Sequence, residues 1–147
     1  AIFIDETWQL IGASSNRLAA EFVLEIFKII RGYGGSAICA TQDLNDFFAL
    51  EDGKYGKGII NNSKTKIVLN LEDEEAMRVQ SILHLSEAET MAVTHFERGN
   101  GLISTNNNVT VEFKASELEK ELITTDRMEL KKLLEKEKER QQMSKAV

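Results

Sequence analysis

The pattern of apolar and polar residues over positions 1–42 predicts a β-α-β unit. The chain opens with the apolar run Ala1–Ile4, which is typical of a parallel strand buried on both faces. From Arg17 to Arg31 apolar residues recur at helical spacing and cover much of the cylinder, which predicts a largely buried helix. Glycines at positions 32, 34 and 35 end this helix, and Ser36–Ala40 is predicted to be a second short buried strand. Crossovers of this kind are almost always right-handed and bring the ends of the two strands side by side.

The order of apolar and polar residues over positions 51–113 predicts a loop and three further strands. Glu51–Gly58 is polar and rich in Gly and Lys, which predicts a mobile loop. Lys66–Leu71 alternates less than an exposed strand would, so we expect a third parallel strand there. Gly101–Thr105 and Val109–Phe113 are two further predicted strands. The three asparagines between them predict an antiparallel hairpin, because Asn tolerates a positive φ.

Helix-start signals mark the remaining segments. Asp43 is predicted to cap a short helix, and the acidic residues 72–75 favour the start of another helix through their interaction with its dipole. Segments of the form Ser-x-x-Glu at Ser86 and Ser116 predict two capping boxes. The charged residues 127–147 are expected to form a solvated helix that frays toward its end.

Composition narrows the class of protein. The 147 residues are 42% hydrophobic and 29% charged, which suits one folded domain with a sizeable core. The formal net charge of −6 argues against a general binder of nucleic-acid phosphates, since such proteins usually carry a basic stripe. The single cysteine, Cys39, excludes an internal disulfide and a multi-cysteine zinc site. Because the chain begins directly in a predicted buried strand, we expect that an N-terminal part of its domain is missing.

Candidate chemistry lies just beyond the ends of the two predicted parallel strands. Asp5 and Glu6 follow the first strand and Gln42 follows the second, at the sheet edge where open α/β sheets bind ligands. An Asp at this edge can hold Mg²⁺ through water, a Glu can orient or deprotonate an attacking water, and an amide can hydrogen-bond a γ-phosphate. The alternative is structural, with two solvated acids at a strand end and a polar turn residue before Asp43.

Two other features bear on a nucleotide site. Arg31 ends the long predicted helix, where it can reach a phosphate on a neighbouring subunit or simply interact favourably with the helix dipole. No segment of the form G-x-x-x-x-G-K-S/T occurs in the 147 residues. Without that phosphate-binding loop and its lysine, we expect this piece by itself to bind nucleotide weakly and to be inactive.

A succession of segments resembles the motor domain of one ATPase family. In order they are Ile2-Phe3-Ile4-Asp5-Glu6, Ala40-Thr41-Gln42, Ile60-Asn61-Asn62-Ser63 with Lys66-Ile67-Val68-Leu69, Leu85-Ser86, Gly99-Asn100-Gly101-Leu102-Ile103, and Glu119 to Thr124. The succession is similar to the C-terminal half of the motor domain in conjugative-transfer ATPases of type IV secretion systems. These are the TraC/TraE-like members of the HerA–FtsK group of RecA-like P-loop ATPases.

The resemblance implies a fold, a domain division and a set of roles. The fold is α/β, a RecA-like P-loop NTPase core with a parallel sheet, truncated before the Walker B strand and carrying a β-hairpin and C-terminal helices. Residues 1–126 are implied to be the C-terminal portion of the ATPase domain and residues 127–147 a charged C-terminal helix or tail. Asp5 is implied to be the Walker B acid that holds Mg²⁺, Glu6 to be the catalytic Glu and Gln42 to sense the γ-phosphate, so that these three bind ATP. Arg31 is implied to act on the site of a neighbouring subunit.

The implied function is an ATP-hydrolysing motor subunit that powers type IV secretion or conjugative transfer. Members of the family form homo-oligomers, such as hexamers, at the cytoplasmic face of the bacterial membrane, where channel components are the expected partners and DNA is a further candidate. One alternative is a HerA/FtsK-type DNA translocase or coupling ATPase, which would show DNA-stimulated hydrolysis. Another is a docking module of the secretion machine without catalytic activity.

Overall fold

The first sheet of the molecule contains the predicted β-α-β unit. A computed structural model describes residues 1–123 and 126–135. Strand β1 (Ile2–Ile4) pairs in parallel with β2 (Ala37–Cys39). Between the two strands the chain forms the short helix α1 (Trp8–Ile11) and the long helix α2 (Arg17–Ile29). The predicted α/β class and the predicted adjacency of the two parallel strands are therefore confirmed.

Helix α2 covers one face of this sheet. The side chain of Asn16 caps the helix by accepting the Leu18 N–H at 2.8 Å. The buried residues of the first core are Ile11, Ala20, Val23, Leu24, Phe27, Phe47, Tyr55 and Ile59. On the strands, by contrast, Phe3 is 74% exposed and its register partner Ile38 is 50% exposed. The prediction that β1 is buried on both faces is thus wrong for the described residues, because these supply a helical layer to one face only.

The segment predicted to be a mobile loop is folded. Helix α3 (Leu44–Phe47) begins at the predicted Asp43 cap and leads into a 3₁₀ turn, Leu50–Gly53. Helix α4 (Lys54–Asn62) follows directly and packs on α2. Tyr55 in α4 is 0% exposed, so the glycines and lysines around it belong to a packed helix. The loop prediction is therefore wrong, because these glycines allow close packing here and do not mark a flexible chain.

The third predicted strand lies in a second sheet. Strand β3 (Lys66–Val68) pairs antiparallel with β4 (Asn100–Ser104), and β4 pairs antiparallel with β5 (Asn108–Glu112). The predicted hairpin is confirmed, whereas the prediction of a third parallel strand is wrong. Ile67 is 57% exposed and Val68 is 8% exposed, so one face of β3 is buried. Such one-sided burial is typical of antiparallel sheets.

Two helices cover the second sheet. They are α5 (Asp73–Leu83), whose first turn is acidic as predicted, and α6 (Glu87–Thr94). The predicted capping box at Ser86 is present, because its hydroxyl accepts the Glu89 N–H while the Glu89 carboxylate accepts the Ser86 N–H. The buried residues of this second core are Val68, Val79, Leu85, Val93 and Leu102. None of the described helices is both long and apolar enough to cross a membrane.

The chain divides into two compact units, Ala1–Glu112 and Phe113–Val147. In the second unit, helix α7 (Glu117–Ile123) begins at the predicted capping box of Ser116 and Glu119. Residues 127–135 are also helical. The functional division after residue 126 stays a prediction, and the predicted fraying toward residue 147 falls on residues 136–147, outside those that the structure describes.

Candidate functional site

Hydrogen bonds connect the segments at the carboxyl ends of β1 and β2. The Ala40 N–H donates to the Ile4 carbonyl at 2.9 Å, which continues the parallel ladder past the last paired residues. The Thr7 N–H then donates to the Ala40 carbonyl at 2.9 Å, and the Thr7 hydroxyl donates to the Ile4 carbonyl at 3.1 Å. Thr7 is 0% exposed, so this connection is screened from water. Asp5 and Glu6 therefore leave the sheet beside the segment that leads to Gln42.

Asp5 presents one carboxylate oxygen to solvent. Its side chain is exposed, and its Oδ1 atom accepts the Glu6 N–H at 2.9 Å. The Oδ2 atom has no hydrogen-bond partner among residues 1–123 and 126–135, which leaves it available to a hydrated cation. No three His, Cys, Asp or Glu side chains of these residues are grouped closely enough to hold a metal ion by themselves. A single carboxylate with one free oxygen, as at Asp5, fits Mg²⁺, which usually takes one or two carboxylates together with water and phosphate oxygens.

Glu6 is fixed in an uncommon conformation. Its φ is 48°, in the left-handed region that few residues other than Gly occupy. Its backbone N–H binds Asp5, and its Oε2 atom accepts the indole N–H of Trp8 at 2.6 Å. Glu6 is half-buried while Asp5 is exposed, so the two neighbouring acids have different surroundings.

Gln42 lies two residues beyond Ala40, at the carboxyl end of β2. The side chain is exposed and makes no hydrogen bond with the part of the chain that the structure describes. The residues on either side of Gln42 are fixed by hydrogen bonds. The Thr41 hydroxyl donates to the Asp43 carbonyl at 3.3 Å, and the Asp43 carboxylate caps α3. The backbone around Gln42 is thus anchored while its amide can reach a ligand.

Arg31 lies at the other end of the sheet. It belongs to a 3₁₀ turn, Ile30–Tyr33, that follows α2 and precedes β2. The Ile2 N–H donates to the Ser36 carbonyl at 2.8 Å, so the chain between this turn and β2 meets the beginning of β1. Arg31 is exposed and has no ion pair or hydrogen bond from its side chain within residues 1–123 and 126–135. The structure therefore separates Arg31 from Asp5, Glu6 and Gln42 within one copy of the chain.

Two residues near the site were not among the candidate catalytic or binding residues that the sequence predicted. Thr7 connects the two strand ends, and Trp8 holds the Glu6 carboxylate. Neither could be identified from spacing, because both contacts depend on the left-handed turn at Glu6.

Cys39 lies one residue before Ala40, and burial raises the pKa of its thiol, which keeps the thiol neutral at ordinary pH.

Similarity to known structures supports the α/β fold. The structure of VirB4 from Thermoanaerobacter pseudethanolicus matches with a TM-score of 0.72 and 29% identity, over 80% of this chain and 31% of that one. The chain thus spans less than a third of the VirB4 structure. The genome packaging NTPase B204 of Sulfolobus turreted icosahedral virus 2, solved with ATP-gammaS, matches with a TM-score of 0.54 and 16% identity, over 77% of this chain and 52% of that one. At that identity the second match supports the fold alone.

Comparison of the sequence with curated proteins found no match. The family described as the TraG P-loop domain, in contrast, matches the chain over residues 1–147. Together with the likeness to VirB4, this match confirms the resemblance to conjugative-transfer and type IV secretion ATPases that the motifs of the sequence predicted. The chain belongs to the TraG P-loop domain family.

Proposed function

We propose that this chain supplies the acidic half of an ATP-hydrolysis site in a motor that powers type IV secretion or conjugative transfer. The observation that carries the proposal is the parallel pairing of β1 with β2, extended by the hydrogen bond from Ala40 to Ile4. In a chain of the TraG P-loop domain family, this pairing supports a site in which two acids and one amide face the same bound nucleotide.

Each of the three side chains has a distinct role in the proposal. Asp5 holds hydrated Mg²⁺ through its free carboxylate oxygen, and the metal, when bound, neutralises charge on the phosphates. Glu6 orients the attacking water and accepts its proton. Gln42, whose amide is exposed and unpaired among the described residues, hydrogen-bonds the γ-phosphate or the water.

The phosphate-binding loop is not among these 147 residues, since they contain no G-x-x-x-x-G-K-S/T segment. We therefore expect the isolated chain to show negligible ATP turnover. In this proposal the phosphate-binding loop is supplied from outside these 147 residues.

Replacing Glu6 with Gln in the complete protein tests the proposal. We expect Mg²⁺–ATP affinity to be kept and turnover to fall by about 10²–10⁴-fold, the usual contribution of a positioned general base. Glu25→Gln is the matched control, because Glu25 is an exposed acid on α2, away from the strand ends. Equal turnover of the Glu6→Gln and Glu25→Gln proteins would contradict the catalytic role of Glu6.

Arg31 is proposed to complete the site of a neighbouring subunit. Its exposure and its place at the amino ends of the strands support action between subunits. Arg31→Ala and Glu6→Gln proteins should each have greatly reduced turnover, whereas mixed oligomers should recover part of the activity. Recovery is expected because some sites then combine an intact Glu6 with an intact Arg31 from the neighbour. An inactive mixture that still forms mixed oligomers would contradict this role.

The proposal extends to assembly and location. The complete protein is expected to form a homo-oligomer, such as a hexamer, at the cytoplasmic face of the bacterial membrane and to bind components of the transfer channel. Hydrolysis that is strongly stimulated by DNA would instead favour a DNA translocase or coupling ATPase. Normal transfer by the Glu6→Gln protein would favour a docking module without catalytic activity.

A further inference from the structure

Among the residues that the structure describes, one short hydrogen bond from its own loop holds the Glu6 side chain. Its Oε2 atom accepts the Trp8 indole N–H at 2.6 Å. Hydrogen bonds to an ionised carboxylate are shorter and about twice as strong as neutral ones. The Glu6 backbone is left-handed, with φ 48°, a conformation that persists only when its surroundings enforce it. The Asp5 carboxylate accepts the Glu6 N–H at 2.9 Å, and the Glu6 carbonyl accepts the Gln9 N–H at 2.9 Å, so the Glu6 backbone is also held in place.

Trp8 is fixed in position by packing and by backbone hydrogen bonds. It is the first residue of α1, it is half-buried, and its ring packs against the first core. Its carbonyl accepts the Gly12 N–H at 2.7 Å, and a Cβ at position 12 would lie 2.5 Å from that carbonyl oxygen. The preceding residue, Thr7, is fixed to both strand ends through Ile4 and Ala40. The direction of the indole N–H is therefore set by the fold.

If Trp8 only packed against the core, the apolar atoms of its indole would be sufficient and its N–H would need no partner. Packing against the core uses the apolar atoms of the indole, and Phe can supply most of that contact. The indole N–H is not needed for that packing, and it donates to Glu6, one of the two acids at the strand end. The hydrogen bond from the indole N–H therefore distinguishes a residue that orients Glu6 from one that only packs against the core.

We propose that Trp8 is a positioning residue for Glu6, rotating its carboxylate into one orientation so that its second oxygen faces the attacking water. This inference rests on the proposed function, because it assigns Glu6 a water to orient. Loss of the N–H leaves the Glu6 carboxylate free to rotate, which lowers the rate of the chemical step and leaves nucleotide binding unchanged. Small displacements of this kind are sufficient to reduce turnover by large factors.

The kinetic test is Trp8→Phe in the complete protein. The expected result is a kcat about tenfold or more below that of the wild type, the order associated with losing a hydrogen bond to a charged group, with KM for ATP unchanged. In a Glu6→Gln background the same change should lower kcat no further, because the bond then orients no carboxylate. A Trp8→Phe protein with wild-type kcat, or one with the same fractional loss in both backgrounds, would overturn the proposal.

A spectroscopic test keeps the proposal falsifiable if Trp8→Phe does not fold. The indole N–H proton resonance of Trp8 should shift upfield in Glu6→Gln, because a neutral amide accepts a weaker hydrogen bond than a carboxylate. Glu25→Gln should leave that resonance in place. An unmoved resonance in Glu6→Gln would overturn the proposal. An active Glu6→Gln protein would instead refute the proposed function, so the two failures can be told apart.

Discussion

Gly56 provides a sharp test of how α4 packs in the first core. It is the third residue of the helix, in its first turn, where an added Cβ would come within 2.5 Å of the Phe47 carbonyl oxygen and 2.8 Å of the Phe47 ring. That position is about 1 Å inside ordinary van der Waals contact with a backbone atom that cannot rotate away. Gly56→Ala gains about 0.5–1 kcal/mol from helix propensity, and overpacking costs about 1–3 kcal/mol. We therefore expect a net loss of unfolding free energy of about 1–2 kcal/mol.

Gly58→Ala is the matched control in the same helix. The propensity gain is the same, but the new Cβ would meet the methyl end of the Leu24 side chain, at 2.7 Å, which can move. Urea unfolding followed by circular dichroism should give Gly56→Ala a midpoint about 1 M below that of Gly58→Ala, for an m-value of about 1–3 kcal/mol/M. Equal midpoints would refute the inference that α4 needs glycine at position 56 for close packing.

Two further predictions concern local stabilisation. The Lys54 ammonium, with Arg17 nearby, holds the pKa of Glu51 below its usual value. The ionised Glu51 carboxylate therefore stabilises the fold above the unfolded-state pKa of about 4.3, and this stabilisation is lost as pH falls through the lowered pKa. Glu51→Gln should therefore be slightly less stable than wild type at pH 7 in low salt and equally stable in strong acid, and thermal unfolding at several pH values checks this. Ser86→Ala should raise amide hydrogen exchange in residues 87–94 by about fivefold, because a lost N-cap costs about 1 kcal/mol, whereas Ser116→Ala should do so only in residues 117–123.

The elements that the sequence predicted correctly depend on local signals. The capping boxes at Ser86 and Ser116 need only a hydroxyl and a carboxylate three residues apart, and both are present. The paired strands β1 and β2 follow from two apolar runs joined by a helix and a glycine stop, a pattern with few topological outcomes. The adjacency of Asp5 and Glu6 to the segment before Gln42 follows from this pairing.

The elements that the sequence missed depend on tertiary context. A Gly-rich, Lys-rich segment looks flexible in sequence, yet Gly56 and Gly58 allow α4 to approach α3 and α2 closely. The apolar run at residues 67–69 does not reveal whether its partner strand is parallel, and here β4 supplies an antiparallel partner. The bond from Trp8 to Glu6 depends on a positive φ at a residue type that seldom adopts one.

The central claim is that Asp5, Glu6 and Gln42 serve one nucleotide. A structure of the complete protein with Mg²⁺ and a slowly hydrolysed ATP analogue tests this claim most directly. We predict the Asp5 carboxylate within one water of the metal and the Gln42 amide within hydrogen-bond distance of the γ-phosphate or of the water beside it. A nucleotide bound with its metal and γ-phosphate away from all three side chains would contradict the account.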